Sequence, residues 1–262
     1  MANKGVSVFP ARRLCEGPAG ENRALSMTKR RRYAIYAMPP PGHPLEIAAS
    51  RWLGRDAYAN KPLPRPAIAG LPADDWSALV AAPAHYGFHA TLMAPFLPGE
   101  AIDEDDILAG LEAMAARQPP VLIPALEIRR LGDFFALVPA DRLPALDRLA
   151  AAVVVGCQSM RAPLGAGEIA RRRKAGLSAA EKANLLTWGY PYVFDAFRFH
   201  MTLTGAVPEG RAPAVSEHLR DYFADFIGKP YFLDHIALCV ESSPDTPVKV
   251  RRTAWLVAGP SP

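Results

Sequence analysis

The chain has 262 residues, half of them hydrophobic and about a fifth charged, with a net charge of +4. That is enough chain to bury a sizeable core in one large domain or two small lobes. The charge is too small for a nucleic-acid coat, it favours anionic ligands modestly, and no apolar run is long enough to cross a bilayer. Three cysteines, Cys15, Cys157 and Cys239, are odd in number and far apart. They form no C-x-x-C pair, so neither a zinc knuckle nor a disulfide scaffold is indicated, and free thiols fit a reducing cytoplasm.

Residues 1–28 lack both periodicity and the continuous apolar core of a signal peptide. The pattern changes at Met27, where Met-Thr-Lys-Arg-Arg-Arg leads directly into a strand-like run. The first 26 residues therefore read as a disordered extension or the product of an upstream start codon. One bilobal domain is expected over 29–258.

Residues 33–38 alternate and read as a strand, closed by Pro39-Pro40-Pro41. Residues 45–53 read as a short helix and the proline-rich 56–75 as a loop. A strand is expected over 88–96. Residues 103–117 carry apolar residues at helical spacing with acids in the first turn, predicting a helix. Two strands, 122–131 and 134–139, meet at Gly132-Asp133, a hairpin signal. A helix over 143–155 comes next, then a basic loop over 161–176 containing Arg171, Arg172, Arg173 and Lys174. Ser178 with Glu181 three residues on forms a capping box for a helix over 178–188. The remainder reads as strand 197–205, helix 212–227 and strands 231–241 and 248–257.

A strand–helix–strand–strand order thus occurs twice, beginning at residues 88 and 198. Used twice, such a unit predicts an α+β, bilobal fold: two pseudo-symmetric antiparallel-sheet lobes with helices on the outer faces.

The first strand of each half contains the same pattern, His89-Ala90-Thr91-Leu92 and His200-Met201-Thr202-Leu203. In a strand, residues i and i+2 share a face, so each motif sets an imidazole beside a hydroxyl. With six histidines, and Ser and Thr near a fifteenth of the chain, about 0.4 H-x-[ST] matches are expected by chance. Two matches, both followed by Leu and both opening the same repeat, point to chemistry. Cleaving a phosphodiester requires a base and an acid, and histidine serves either role near neutrality. Threonine hydroxyls beside the imidazoles supply donors for the phosphoryl oxygens. No G-x-S-x-G elbow or Walker loop is present. His85 lies near His89, but H-x-T lacks the carboxylate-rich surroundings of a hydrolytic metal site, so neither a metal nor another cofactor is expected.

These paired motifs in a duplicated frame resemble the two-histidine (2H) phosphoesterase superfamily, which includes cyclic nucleotide phosphodiesterases and RNA 2′,5′-ligase-like proteins. The flanks Tyr86-Gly87-Phe88, Trp188-Gly189-Tyr190-Pro191-Tyr192-Val193 and Phe197-Arg198-Phe199 resemble the branch associated with phosphonate metabolism. The resemblance covers about residues 31–258. It implies a bilobal fold, catalysis by His89, Thr91, His200 and Thr202, and hydrolysis of a small cyclic phosphodiester, with a ribose cyclic phosphate as the candidate. Met93 departs from it, because a lysine, and with it an anion contact, is expected after H-x-T-L.

Arg198, two residues before His200, is expected on the same face and able to hold a phosphate bidentately. Tyr86, Tyr190 and Tyr192 are candidates to contact a sugar or base. The Arg171–Lys174 run is either a solvated loop or a basic flap over an anionic ligand. His43, His218 and His235 lack a partner motif and read as structural. The expected partner is a small-molecule phosphodiester; no membrane partner is expected, and no RNP-type stretch argues for nucleic acid. Two alternatives are an RNA-end 2′,3′-cyclic phosphodiesterase or 2′,5′-ligase-like activity, and a catalytically silent nucleotide-binding module.

Overall fold

Strand β1 (Arg32–Ala37) is the centre of the architecture, buried along almost its whole length, which its run of Tyr, Ala and Ile dictates. The structure, a computed structural model, describes residues 31–173, 176–243 and 246–257. The expected extension over 1–28 lies outside them, as does Lys174. After the Pro39–Pro41 break, α1 (Pro44–Leu53) starts with proline in its first turn. The His43 imidazole accepts the Leu45 N–H as N-cap, and Gly54 closes the helix in the left-handed region at φ 71°. A two-residue ribbon, β2 (Arg55–Asp56) and β3 (Lys61–Pro62), and α2 (Ala73–Tyr86) come next.

Where 56–75 reads as loop, the chain thus contains a ribbon and the start of a helix. The helix is weakly amphipathic, Ala-rich and carries Pro83 inside, so its periodicity is faint. Strand β4 (Ala90–Phe96) leads to α3 (Glu104–Ala115), capped by a reciprocal Asp103–Asp106 box. The strand expected over 122–131 divides into β5 (Val121–Ile123) and β6 (Leu126–Leu131), because Pro124 interrupts the ladder between them. The Gly132 turn, φ 64°, joins β6 to β7 (Phe134–Pro139) as expected.

Helix α4 (Pro144–Gly156) precedes the basic segment, which is helical rather than looped as α5 (Ala166–Arg173). That helix buries no residue, so it has no apolar stripe to betray it; Glu168 pairs with Arg172 one turn on. Helix α6 (Ala179–Trp188) has the expected Ser178–Glu181 box. The strand expected over 197–205 reduces to β8 (Met201–Thr202), because only those residues find ladder partners on β7. Helix α7 (Ala212–Tyr222) ends five residues early. The strand expected over 231–241 divides at Asp234 into β9 (Tyr231–Leu233) and β10 (His235–Glu241), and β11 (Lys249–Trp255) completes the set.

The architecture is α+β with two main antiparallel sheets. One has the order β11-β10-β1-β4 and the other β6-β7-β8, while β5 pairs with β9. Helices α3 and α4 pack on the four-stranded sheet and α7 reaches β6. The two halves of the chain do not each build one sheet. The first-half hairpin, β6–β7, pairs with the second motif strand β8. The second-half hairpin, β10–β11, joins through β1 the sheet whose far edge is the first motif strand β4. Both motif strands are therefore sheet edges, and they approach each other.

Trp52 on α1, fully buried, stands where these parts meet. Its ring packs on Trp76, Tyr222 and Phe223, and its indole N–H donates to the Leu203 carbonyl at 2.8 Å. Leu203 directly follows the second motif. Trp52→Phe keeps an aromatic ring but leaves that buried carbonyl without this donor, at a cost of about 1–3 kcal/mol. A urea unfolding midpoint unchanged from wild type would remove this bond from the account of how the second motif is held.

Candidate active site

Gly87 ends α2 at φ 78°, ψ 174°, and a Cβ there would lie 2.6 Å from the Ala57 Cβ, so glycine suits the position on two counts. Its carbonyl accepts the His89 Nδ1–H at 2.9 Å. In the second motif the Arg198 carbonyl accepts the His200 Nδ1–H at 2.7 Å. A carbonyl only accepts, so both rings carry their proton on Nδ1 when neutral and leave Nε2 for other partners. The two motifs share more than a spacing: each imidazole is tethered to the backbone oxygen two residues before it. The Thr91 hydroxyl lies 3.2 Å from His89 Nε2.

A cavity of about 550 Å³ opens here, a size that suits a small-molecule ligand. His89, Thr91, Thr202, Tyr86, Tyr190 and Tyr192 all line it. His200 lies beside it, its ring 5.8 Å from that of Phe134, which does line it. The site residues expected from the sequence are thus brought together, with one exception. Arg198 faces a separate groove beside α4, and its guanidinium donates to the Asp195 and Phe197 carbonyls at 2.7 and 2.6 Å. Residues 197–200 are not ladder strand, so the alternation that would put Arg198 beside His200 and Thr202 does not operate.

Burial pushes the His89 imidazole down to about 4; the hydrogen bond to the Gly87 carbonyl opposes this and the neighbouring His200 adds to it. The cause is visible beneath the ring, where Tyr36 stacks at 3.7 Å between centroids with an interplanar angle of 24°. Burial, ahead of neighbours that include Tyr86, Glu241 and Tyr190, holds the Tyr36 phenol well above its usual range, and burial pushes Tyr190 up to about 12. Both remain neutral phenols at neutral pH.

Several lining residues escape a reading of the sequence. Tyr36 lies opposite Thr91 across β1 and β4, which only the strand pairing reveals. Arg32 lines the same wall. Thr204 lines it too, and its hydroxyl accepts the Phe135 N–H and donates to the Gly205 carbonyl. Of the basic run, Arg171 and Arg172 reach the cavity. Met93 does not. Between Met93 and Thr91 the register against β1 slips by one residue, and this bulge turns both Leu92 and Met93 into the core. The position where the resemblance leads one to expect a lysine is an interior one in this chain.

His43 caps α1, and buried His235 bonds Asp234. Cys157 and Cys239 are buried free thiols. Among the described residues no group of three or more His, Cys, Asp or Glu side chains is arranged to hold a metal, and no helix is long and apolar enough to cross a membrane.

Two curated proteins are similar in sequence, both named ribose 1,5-bisphosphate phosphokinase PhnN. The one from Janthinobacterium sp. (strain Marseille) is 36% identical over 220 residues, covering 82% of this chain and 49% of that protein. The one from Laribacter hongkongensis (strain HLHK9) is 34% identical over 233 residues, covering 86% and 52%. The chain thus spans about half the length of these relatives. Among solved structures, Escherichia coli LigT in apo form aligns with a TM-score of 0.43 at 13% identity, over 88% of this chain and 99% of that one. LigT complexed with 3′-AMP aligns with a TM-score of 0.42 at 12% identity, over 87% and 99%. Residues 91–249, more than half of the sequence and including Thr91 and the whole second motif, match the family described as "Protein of unknown function (DUF1045)", and the chain belongs to that family.

Proposed function

We propose that this cavity hydrolyses a small cyclic phosphodiester without a metal, with His89 as general base and His200 as general acid. The observation that carries this reading is the shared tether. Both imidazoles are fixed through Nδ1 to a carbonyl two residues back, and each has a threonine two residues on. Two rings whose Nδ1 is committed to the backbone and whose Nε2 is not, at one cavity, are what a proton-in, proton-out displacement at phosphorus requires.

The roles divide by environment. His89 is the ring held neutral, so its Nε2 lone pair takes a proton from the attacking water as the new P–O bond forms. The bond from phosphorus to one ring oxygen breaks, and His200 in its protonated form delivers a proton from Nε2 to that leaving oxygen. The product is a phosphomonoester with a free hydroxyl. The Thr202 hydroxyl donates to a non-bridging oxygen, where negative charge develops, and the Thr91 hydroxyl, 3.2 Å from His89 Nε2, turns to a second such oxygen once that nitrogen takes its proton. An anionic phosphoryl group beside His89 raises the ring's basicity, so binding itself strengthens the base.

A ribose cyclic phosphate is the substrate that the resemblance to the phosphonate-metabolism branch favours, and the name of the curated relatives also refers to a ribose phosphate. Kinase chemistry is not proposed, since the chain has no Walker loop and spans half of those proteins. The tyrosine wall of Tyr86, Tyr190 and Tyr192 also accommodates a nucleoside, which makes nucleoside 2′,3′-cyclic phosphates practical probes.

Replacing either His89 or His200 by Ala lowers turnover of a cyclic phosphodiester by roughly 10²–10⁴-fold. The double variant is little worse than the poorer single, because groups that act in one step are not additive. Thr91→Ala and Thr202→Ala lose less. A folded His200→Ala protein, checked by circular dichroism, that keeps near wild-type rate would leave the second motif a structural one.

The pH profile follows from the depressed imidazole. A base must be unprotonated, so the acid limb of kcat/KM, which reports the free enzyme, falls near the pH of about 4 set by His89. The limb in kcat lies higher, since bound phosphate favours the protonated ring. An acid limb of kcat/KM near 6.5 that vanishes in His89→Ala would place His89 in ordinary solvation and sink this assignment.

Prolonged dialysis against EDTA leaves activity in place. Loss of activity that one divalent ion restores would assign the chemistry to a metal.

A further inference from the structure

Three arginines line the cavity, Arg32, Arg171 and Arg172, yet the two-histidine chemistry uses none of them. All three are paired with carboxylates that do not line it, Arg32 with Glu241 and both Arg171 and Arg172 with Glu168. Arg32 and Glu241 lie directly opposite each other across β1 and β10. Both Nε and Nη2 of Arg32 approach the same oxygen, Glu241 Oε2, at 2.5 Å, while His85 Nε2 sits 3.3 Å from Oε1. Glu241 is 3% exposed, whereas a quarter of the Arg32 side chain remains open. Arg172 is similarly engaged, with Nη2 on Glu168 at 2.6 Å and Nη1 on the Gly189 carbonyl at 2.5 Å.

A guanidinium has five N–H donors in a rigid fork, and one carboxylate oxygen does not exhaust them. Glu241 holds Arg32 through Nε and Nη2, so the guanidinium that lines the cavity is kept in one orientation. Pre-orientation of this kind reduces the entropy lost on capturing an oxyanion. Asp133 is the one acidic residue that lines the cavity among the described residues. The positive ends of these pairs face inward and the negative ends face away.

We propose that Arg32, positioned by Glu241, binds a second anionic group of the substrate, a phosphomonoester carried on the same small molecule as the cyclic phosphodiester. This rests on the hydrolase reading above for the location of the first phosphate, and it adds the substrate class: a cyclic phosphodiester with a phosphorylated arm. Arg171, at the same rim and largely open, is placed to share that load. In the simpler view, Arg32–Glu241 is only a cross-strand ion pair that secures the sheet.

The probes are adenosine 2′,3′-cyclic phosphate and its 5′-phosphorylated form for turnover, and adenosine 3′-phosphate and adenosine 3′,5′-bisphosphate for calorimetric binding. A charge-assisted contact to a partly buried site gives the doubly anionic compound of each pair an advantage of about 10–100-fold in wild type, seen in KM rather than kcat. In Arg32→Gln the advantage shrinks to within a few-fold, and in Arg32→Lys, which keeps the charge without the fork, it is intermediate. A merely structural Arg32 would lower thermal stability in both variants and leave the ratio between paired probes unchanged.

Equal affinities of wild type for the two adenosine phosphates overturn the second-anion site, whether or not the variants fold. Tighter, Arg32-dependent binding of the bisphosphate without turnover of either cyclic compound supports the anion site and overturns the hydrolase reading instead. Turnover of both cyclic compounds with the same kcat/KM overturns the anion site and leaves the hydrolase reading standing.

Discussion

Each H-x-T segment lies at the edge of a different sheet, and each sheet is completed by a hairpin from the opposite half of the chain. The rest of the molecule depends on this exchange. Strand β8 has only two ladder residues, too few to hold a histidine in place unaided, and β7 from the first half supplies its partner. Strand β4 is anchored through β1 to the second-half hairpin. Neither motif can be fixed until chain from both halves is present. A sheet edge is normally a liability to be covered. Here two edges approach each other, and the cavity opens at the same place.

Within that frame the decisive local contact is the bond from each Nδ1 to the carbonyl two residues upstream. It costs little sequence, since any residue has a carbonyl, yet it settles the tautomer and aims Nε2. What differs between the motifs is the floor. Tyr36 stacks under His89 and strips it of water, while His200 lies against Phe134 at greater separation. Two copies of one motif thereby acquire unlike surroundings without any change in the motif itself. At His89 desolvation is the physical agent that favours the neutral ring.

The cavity walls obey a related logic. The neutral phenols of Tyr36 and Tyr190 and the hydroxyls of Thr91, Thr202 and Thr204 line the cavity with polar groups that carry no charge. The cationic groups are arginines with carboxylates behind them, so these guanidinium groups are paired before any ligand arrives. Burying unpaired charge is costly, and this arrangement avoids it while keeping cationic edges toward the opening.

The sequence by itself determined the local elements that have short-range causes. The capping boxes at Asp103 and Ser178, the Gly132 turn and the strand character of β1 are written in neighbouring residues and reappear in the structure. The paired H-x-T motifs and the tyrosines of the flanks are likewise legible, and they meet at one cavity. Helix α5 is not, because a helix with no buried face leaves no periodic trace. Arg198 turns away from the site because strand alternation breaks down where the ladder ends, and Met93 turns inward because a bulge reverses the face of a single residue. Tyr36, Arg32 and Glu241 lie far from either motif in sequence. Only the pairing of β1 with β4 and β10 sets Tyr36 under His89 and Glu241 behind Arg32, because the environment of a side chain is fixed by what packs against it, and those neighbours come from strands up to 209 positions away.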